Sequence, residues 1–155
     1  MVLILLLLIS DSISIDVQEL MNYKDILFSK FFDCINSGIE AVVFESCWCL
    51  TSMISLNEQF LVEAISRGCI PLFNNLLTNE SEDIREQAVW GVGNIACAGV
   101  KYRDMLLSYD NLFGNMLQNL RTPKLSMLRN GSWTLSNLTN GSPLADWKII
   151  RESLK

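Results

Sequence analysis

Tryptophan and a carboxamide recur four residues apart in this chain, as Trp90 and Asn94 in EQAVWGVGNIA (Glu86 to Ala96) and as Trp133 and Asn137 in GSWTLSNLT (Gly131 to Thr139). A four-residue step on a helix puts two side chains on one face, with Cβ atoms about 5–6 Å apart. An indole face attracts a lysine ammonium or an arginine guanidinium by about 0.5–2 kcal/mol per site, and the slot between two indoles suits the methylene stem. An asparagine one turn on can both donate and accept, which matches the otherwise unpartnered amides of an extended peptide. The chemistry open to the pair is recognition, with tryptophan gripping side chains and asparagine reading the main chain. A lone tryptophan in a helical pattern is usually core. Repetition with a polar residue at the same offset argues otherwise, since a buried carboxamide needs partners each time. Trp48 carries Ser52 at that offset, and Gly91 and Gly93 keep side-chain bulk low around Trp90.

Other chemistry is poorly supplied. The 155 residues contain no histidine, so the commonest general base and the commonest zinc ligand are both missing. Five cysteines, Cys34, Cys47, Cys49, Cys69 and Cys97, are irregularly spaced and fit reduced, buried thiols of a cytosolic or nuclear protein better than a disulfide framework. Cys47-Trp48-Cys49 lacks the second ligand pair that a zinc site needs. No catalytic residue, metal or cofactor is expected. A net charge of −5 and pI near 4.7 argue against nucleic acid or an anionic membrane as the partner and allow a basic one.

What must position the pairs is a repeat. VVFESCWCLTSMIS (Val42 to Ser55), IREQAVWGVGNIAC (Ile84 to Cys97) and MLRNGSWTLSNLTN (Met127 to Asn140) align, with tryptophans 42 and 43 residues apart. That spacing is the period of armadillo or HEAT units. Between the tryptophans the helical patterns run short, medium, long. NEQFLVEAISRG puts Phe60, Ala64 and Ile65 on one face and closes at Gly68; CIPLFNNLLTN restarts with Pro71 in its first turn and buries Ile70, Phe73, Leu76 and Leu77; Ser81 caps a longer helix through Cys97. Three helices per unit favours armadillo. The chain divides into 1–14, the tail of a preceding helix; repeats at 15–56, 57–99 and 100–142; and the start of another at 143–155. MVLILLLLIS reads as a buried helix end, or else as an apolar leader; its run is too short to span a bilayer.

At REQAVWGVGNIA and LRNGSWTLSNL the sequence resembles importin α, the armadillo adaptor family that carries nuclear localisation signals. The resemblance covers essentially the whole chain, most strongly Phe44 to Leu138, and corresponds to the family's repeats two to four. It implies an all-α, right-handed armadillo superhelix (α-solenoid) of about three full repeats with partial repeats at both ends. It further implies binding of Lys/Arg-rich nuclear localisation signal peptides of cargo proteins, with stems between Trp48 and Trp90 and between Trp90 and Trp133, and main chain held by Asn94 and Asn137. The family also uses the polar residue three before each tryptophan, which falls on Glu45, Gln87 and Asn130. Cytoplasm and nucleus are the implied locations. Importin β would join only through a segment preceding this chain, and neither nucleic acid nor membrane is an implied partner.

Two positions depart from the family. Ser52 stands where it has asparagine, which shortens one main-chain clamp. Ala98 stands where it has the acidic residue that pairs with the signal's most demanding lysine, removing a contact of roughly 1.5–3 kcal/mol where such bonds are well made. Glu45, Glu58 and Glu86 lie near in sequence, but the motif places none of them to replace it. Those two departures also fit an armadillo scaffold that has drifted from signal binding.

Overall fold

A computed structural model describes residues 17–153. Ten helices and no strand make up the described residues: α1 (Val17–Met21), α2 (Lys24–Ile35), α3 (Glu40–Leu56), α4 (Glu58–Ser66), α5 (Cys69–Leu76), α6 (Glu82–Cys97), α7 (Val100–Leu107), α8 (Leu112–Asn119), α9 (Leu125–Thr139) and α10 (Trp147–Ser153). The long helices α3, α6 and α9 each carry one of the three repeated tryptophans. After α3, each group has two short helices and one long one. The expected short-then-medium order is not kept, because α4 and α5 run 9 and 8 residues, and α7 and α8 run 8 each. The apolar segment before Ile15 lies outside the described residues.

Local chemistry sets the breaks. Asn57 caps α4 by accepting the Phe60 N–H at 3.0 Å. Gly68, at φ 89°, turns the chain into α5 through a left-handed conformation that a side chain would strain. Ser81 does hold the N-cap position of α6, but its hydroxyl makes no capping bond; its own N–H donates to Asn79 Oδ1 at 2.9 Å, while Glu82 and Asp83 favour the positive end of the helix dipole.

Packing then follows the apolar faces. α6 lies between α3 and α9 and packs on both more extensively than any other helix pair does, and α2 backs α3. Phe28, Phe60, Phe73, Leu50, Leu106 and Met116 are fully enclosed beneath them, at about 1.5–3 kcal/mol of burial each. Leu61 is buried where Ile65 was the expected contact; Ile65 packs only partly against the core. Of the five cysteines, all free, Cys47, Cys49 and Cys69 are buried, Cys34 is half-buried and Cys97 is exposed. The expectation of buried thiols fails at Cys97 because it is the last residue of α6 and stands clear of the neighbouring long helices.

Polar struts cross between helix groups. Asn119 donates to Leu77 O at 2.8 Å and accepts from Arg85 Nε at 3.0 Å. Arg103, 1% exposed, donates through Nη1 to the carbonyls of Asn140 and Pro143 at 2.7 and 2.9 Å, tying α7 to the loop after α9. No helix among the described residues is long and apolar enough to cross a membrane.

Candidate peptide-binding groove

Because α3, α6 and α9 lie side by side, the positions at equal register along them form rows. One row holds Trp48, Trp90 and Trp133, and the next holds Ser52, Asn94 and Asn137. Trp48 and Trp133 are 41% and 38% exposed, unusual for a residue that normally buries its ring, and Trp90 between them is half-buried.

Each asparagine reaches back to the preceding long helix. Asn94 Nδ2 donates to Thr51 O at 3.4 Å, and Asn137 Nδ2 donates to Gly93 O at 3.3 Å. The bonds are long and therefore weak, but they orient the carboxamides alike. Among the described residues no donor reaches either Oδ1, so both acceptors remain for a partner's N–H. Among the described residues the Ser52 hydroxyl makes no such bridge.

The glycines do something other than thin the surface. A Cβ on Gly93 would stand 2.3 Å from Trp133 Cζ3 and 2.5 Å from Thr134 Oγ1. The indole therefore rests on the bare Cα of α6, and Thr134 locks the same contact by donating to Val89 O at 3.0 Å. Gly91 faces the opposite way, into the core, where its Cβ would lie 2.6 Å from the Phe73 ring. It seats Phe73 and is no part of the groove.

The residues three before the tryptophans differ in state. Asn130 donates to Glu86 Oε1 at 3.0 Å. Gln87 has its Oε1 buried without a hydrogen-bond partner. Glu45, half-buried, lines a cavity of about 530 Å³ with Phe44, Ile39, Glu40, Ser81 and Asp83, on the rim formed by the first turns of α3 and α6.

Of the three nearby glutamates, Glu86 is already committed. It receives Ser126 Oγ at 3.1 Å, Asn130, and the Lys124 ammonium at 2.7 Å. The ammonium also pairs with Asp83, and hydrogen bonds to Asp83 and then to Glu86 raise the Lys124 pKa. Ala98, the C-cap residue just past α6, lines a second cavity, of about 350 Å³, with Asn94, Cys97 and Glu58. Glu58, from the start of α4, accepts the Tyr102 hydroxyl at 2.7 Å. Sequence reasoning missed this pair. Its one signal was a separation of 44 residues, close to the repeat period. No cluster among the described residues could hold a metal ion.

Comparison with known proteins agrees with the fold. The Armadillo/beta-catenin-like repeat family matches residues 60–97. Importin subunit alpha-1b of Oryza sativa subsp. japonica is 40% identical over 111 residues, 72% of this chain and 21% of that protein. Importin subunit alpha-6 of Arabidopsis thaliana is 44% identical over the same shares, and the probable importin subunit alpha-A of Dictyostelium discoideum is 30% identical over 81% of this chain and 25% of its own. The chain thus spans about a fifth to a quarter of the length of these relatives. Among solved structures, a designed armadillo repeat protein in complex with peptide (KR)4 superposes with a TM-score of 0.69 at 17% identity, covering 97% of this chain and 67% of that one. Computationally designed armadillo repeat proteins for modular peptide recognition superpose at 0.68 and 15% identity, covering 99% and 69%.

Stacked helices, aligned rungs and the repeat match define an armadillo-repeat α-solenoid. Within that class the sequence is importin α-like, similar to the plant and Dictyostelium importin α subunits over about a fifth to a quarter of their length.

Proposed function

We propose that this chain binds Lys/Arg-rich peptides of the nuclear localisation type, extended across α3, α6 and α9, as the cargo-recognition part of an importin α-like adaptor that works between cytoplasm and nucleus. The observation that carries this is the pair of equivalent rungs, Trp90 with Asn94 and Trp133 with Asn137, whose carboxamides are oriented alike and keep Oδ1 open. Cationic stems fill the slots between Trp48, Trp90 and Trp133, and the peptide N–H groups reach Asn94 and Asn137. Gln87 and Asn130 border the same path, and Ser52 contributes only a hydroxyl at the first rung. The chain's charge of −5 favours a basic partner. Recognition without bond-making is all that these groups supply.

The test is fluorescence anisotropy with a labelled lysine-rich peptide. Trp90 flanks both slots, so Trp90→Ala with Asn94→Ala removes two cation–π contacts and one hydrogen bond, roughly 1.5–5 kcal/mol in all, and binding weakens by more than tenfold. Unchanged affinity overturns the assignment. Ser52 and Ala98 favour a second reading, a scaffold whose groove no longer reads signals; equal, weak binding of lysine-rich and lysine-free peptides would decide for it.

A further inference from the structure

The cavity at the C-terminal rim of the groove has the make-up of a socket for one cationic side chain. It opens between the ends of α3 and α6 with a volume of about 350 Å³. Ile54 and Leu61, both buried, give it apolar walls that suit a methylene stem, and Ala98 leaves its mouth clear. Asn94, the carboxamide of the middle rung, lines the same cavity, so a peptide lying along that rung passes its opening. Glu58 alone among the lining residues carries a charge.

The Glu58 carboxylate is held in place. Tyr102, 5% exposed on α7, donates its hydroxyl to Glu58 Oε1 at 2.7 Å. The carboxylate pushes the Tyr102 pKa above its ordinary value, so the hydroxyl keeps its proton and remains a donor across neutral pH. One bond occupies only part of a carboxylate's accepting capacity, and the rest is free for an incoming N–H. Lys101 lies over the Tyr102 ring at 5.4 Å and does not line the cavity.

We propose that Glu58, positioned by Tyr102, receives one lysine or arginine side chain of a bound basic peptide in the cavity that Ala98 leaves open. This rests on the groove's binding basic peptides, and it assigns to a neighbouring helix group the negative charge that α6 lacks at its C-terminal end. Glu58 is the specificity-determining residue, and Tyr102 is a positioning residue that acts through it.

The probe is a fluorescein-labelled peptide of alternating lysine and arginine, with variants carrying norleucine at one cationic position at a time, measured by anisotropy against the full chain. Glu58→Gln, at an exposed site with its circular dichroism unchanged, weakens the parent peptide about three- to tenfold. The loss vanishes for one norleucine variant only, which marks the side chain that enters the socket. Tyr102→Phe produces a smaller loss, and none when Glu58 is already Gln. Adding Ala98→Asp to Glu58→Gln restores binding, since both carboxylates address the same cavity. If Glu58→Gln binds as the parent does while Trp90→Ala does not bind, the groove assignment stands and the socket is overturned. If the same loss persists for every norleucine variant, Glu58 acts only as long-range charge and the socket is again overturned. If the parent chain fails to bind the peptide at all, the groove assignment falls and takes the socket with it.

Discussion

Gly93→Ala tests the seating of Trp133 more directly than removal of the indole would. Carbon atoms in good contact sit about 3.5–4.0 Å apart, whereas the added methyl would meet Trp133 Cζ3 at 2.3 Å and Thr134 Oγ1 at 2.5 Å. One or other must move by more than an ångström, on the order of the difference between those contacts. Thr134 cannot give way cheaply, because it is fully buried and bonded to Val89 O. The indole must therefore lift or α9 must slide along α6. Overpacking of this kind costs about 1–3 kcal/mol. Alanine in mid-helix returns about 0.5–1 kcal/mol through backbone entropy. The net is a loss of up to about 2.5 kcal/mol with a midpoint of about 1, at about 2–4 °C of Tm per kcal/mol for a chain of this size. Gly91→Ala should cost a comparable amount against Phe73, yet leave the groove surface alone. Thermal unfolding by circular dichroism, read beside anisotropy with a lysine-rich peptide, separates the two. Both variants lose Tm, and only Gly93→Ala loses affinity and shifts the tryptophan emission. A Gly93→Ala chain as stable as the parent, with unchanged emission, would show that the indole does not rest on that glycine.

Other expectations follow from the ion pairs and thiols. Glu63 accepts Lys24 at 2.8 Å and Arg67 at 2.7 Å, bonds that hold its carboxyl below the ordinary 4.5. A depressed pKa contributes stability above the unfolded value that is lost as pH falls through the folded one. The Tm gap between parent and Glu63→Gln should thus be open at pH 7 and close below about pH 4.5, and a gap constant with pH refutes the cause. Burial pushes Cys47 and Cys69 to about 12 and Cys49 to about 11, so Ellman's reagent at pH 8 should modify exposed Cys97 first and reach those three only on unfolding. Bound peptide should slow the Cys97 phase, since that thiol lines the cavities beside both Asn94 and Asn137; Cys97→Ser should remove the phase. Lys124→Met should free the Glu86 carboxylate and tighten a basic peptide about two- to threefold at low salt, with the gain fading as salt rises.

The long helices were legible because their signal is periodic. Three tryptophan strings 42 and 43 residues apart require stacked equivalents, and residues such as Ile70, Phe73, Leu76 and Leu77 follow from helical spacing alone. Less legible were features decided by a partner outside the local window. Gly91 and Gly93 look alike in sequence, two residues apart, yet that step turns a helix by more than half a circle and sends one to Phe73 and the other to Trp133. Cys97 continues an apolar pattern but stands past the reach of the neighbouring helices, so its pattern says buried and its position says exposed. The Glu86 charge reads as available in a string of letters; only its contacts with Lys124, Ser126 and Asn130 show that it is spent.

The polar contacts that shape the groove share one trait: they join residues one repeat apart. Asn94 to Thr51, Asn137 to Gly93, Thr134 to Val89, Asn130 to Glu86 and Tyr102 to Glu58 span 43 to 45 residues. In a solenoid each unit contacts only its neighbours, so a side chain on one long helix is oriented by the helix before it. The rungs are therefore chained. The Gly93 carbonyl that holds Asn137 belongs to the residue on which Trp133 rests, so one glycine fixes both members of the last rung. On the middle rung the Thr51 carbonyl holds Asn94. At the first rung the described residues show no such link: Ser52 carries a shorter hydroxyl in place of the carboxamide, and no bond from it to another helix occurs among them. Restoring the carboxamide with Ser52→Asn should therefore help only if the preceding helix offers a carbonyl at the equivalent register. A peptide-affinity gain from that single change would place such a helix beside α3, and its absence would leave the first rung to Trp48 alone.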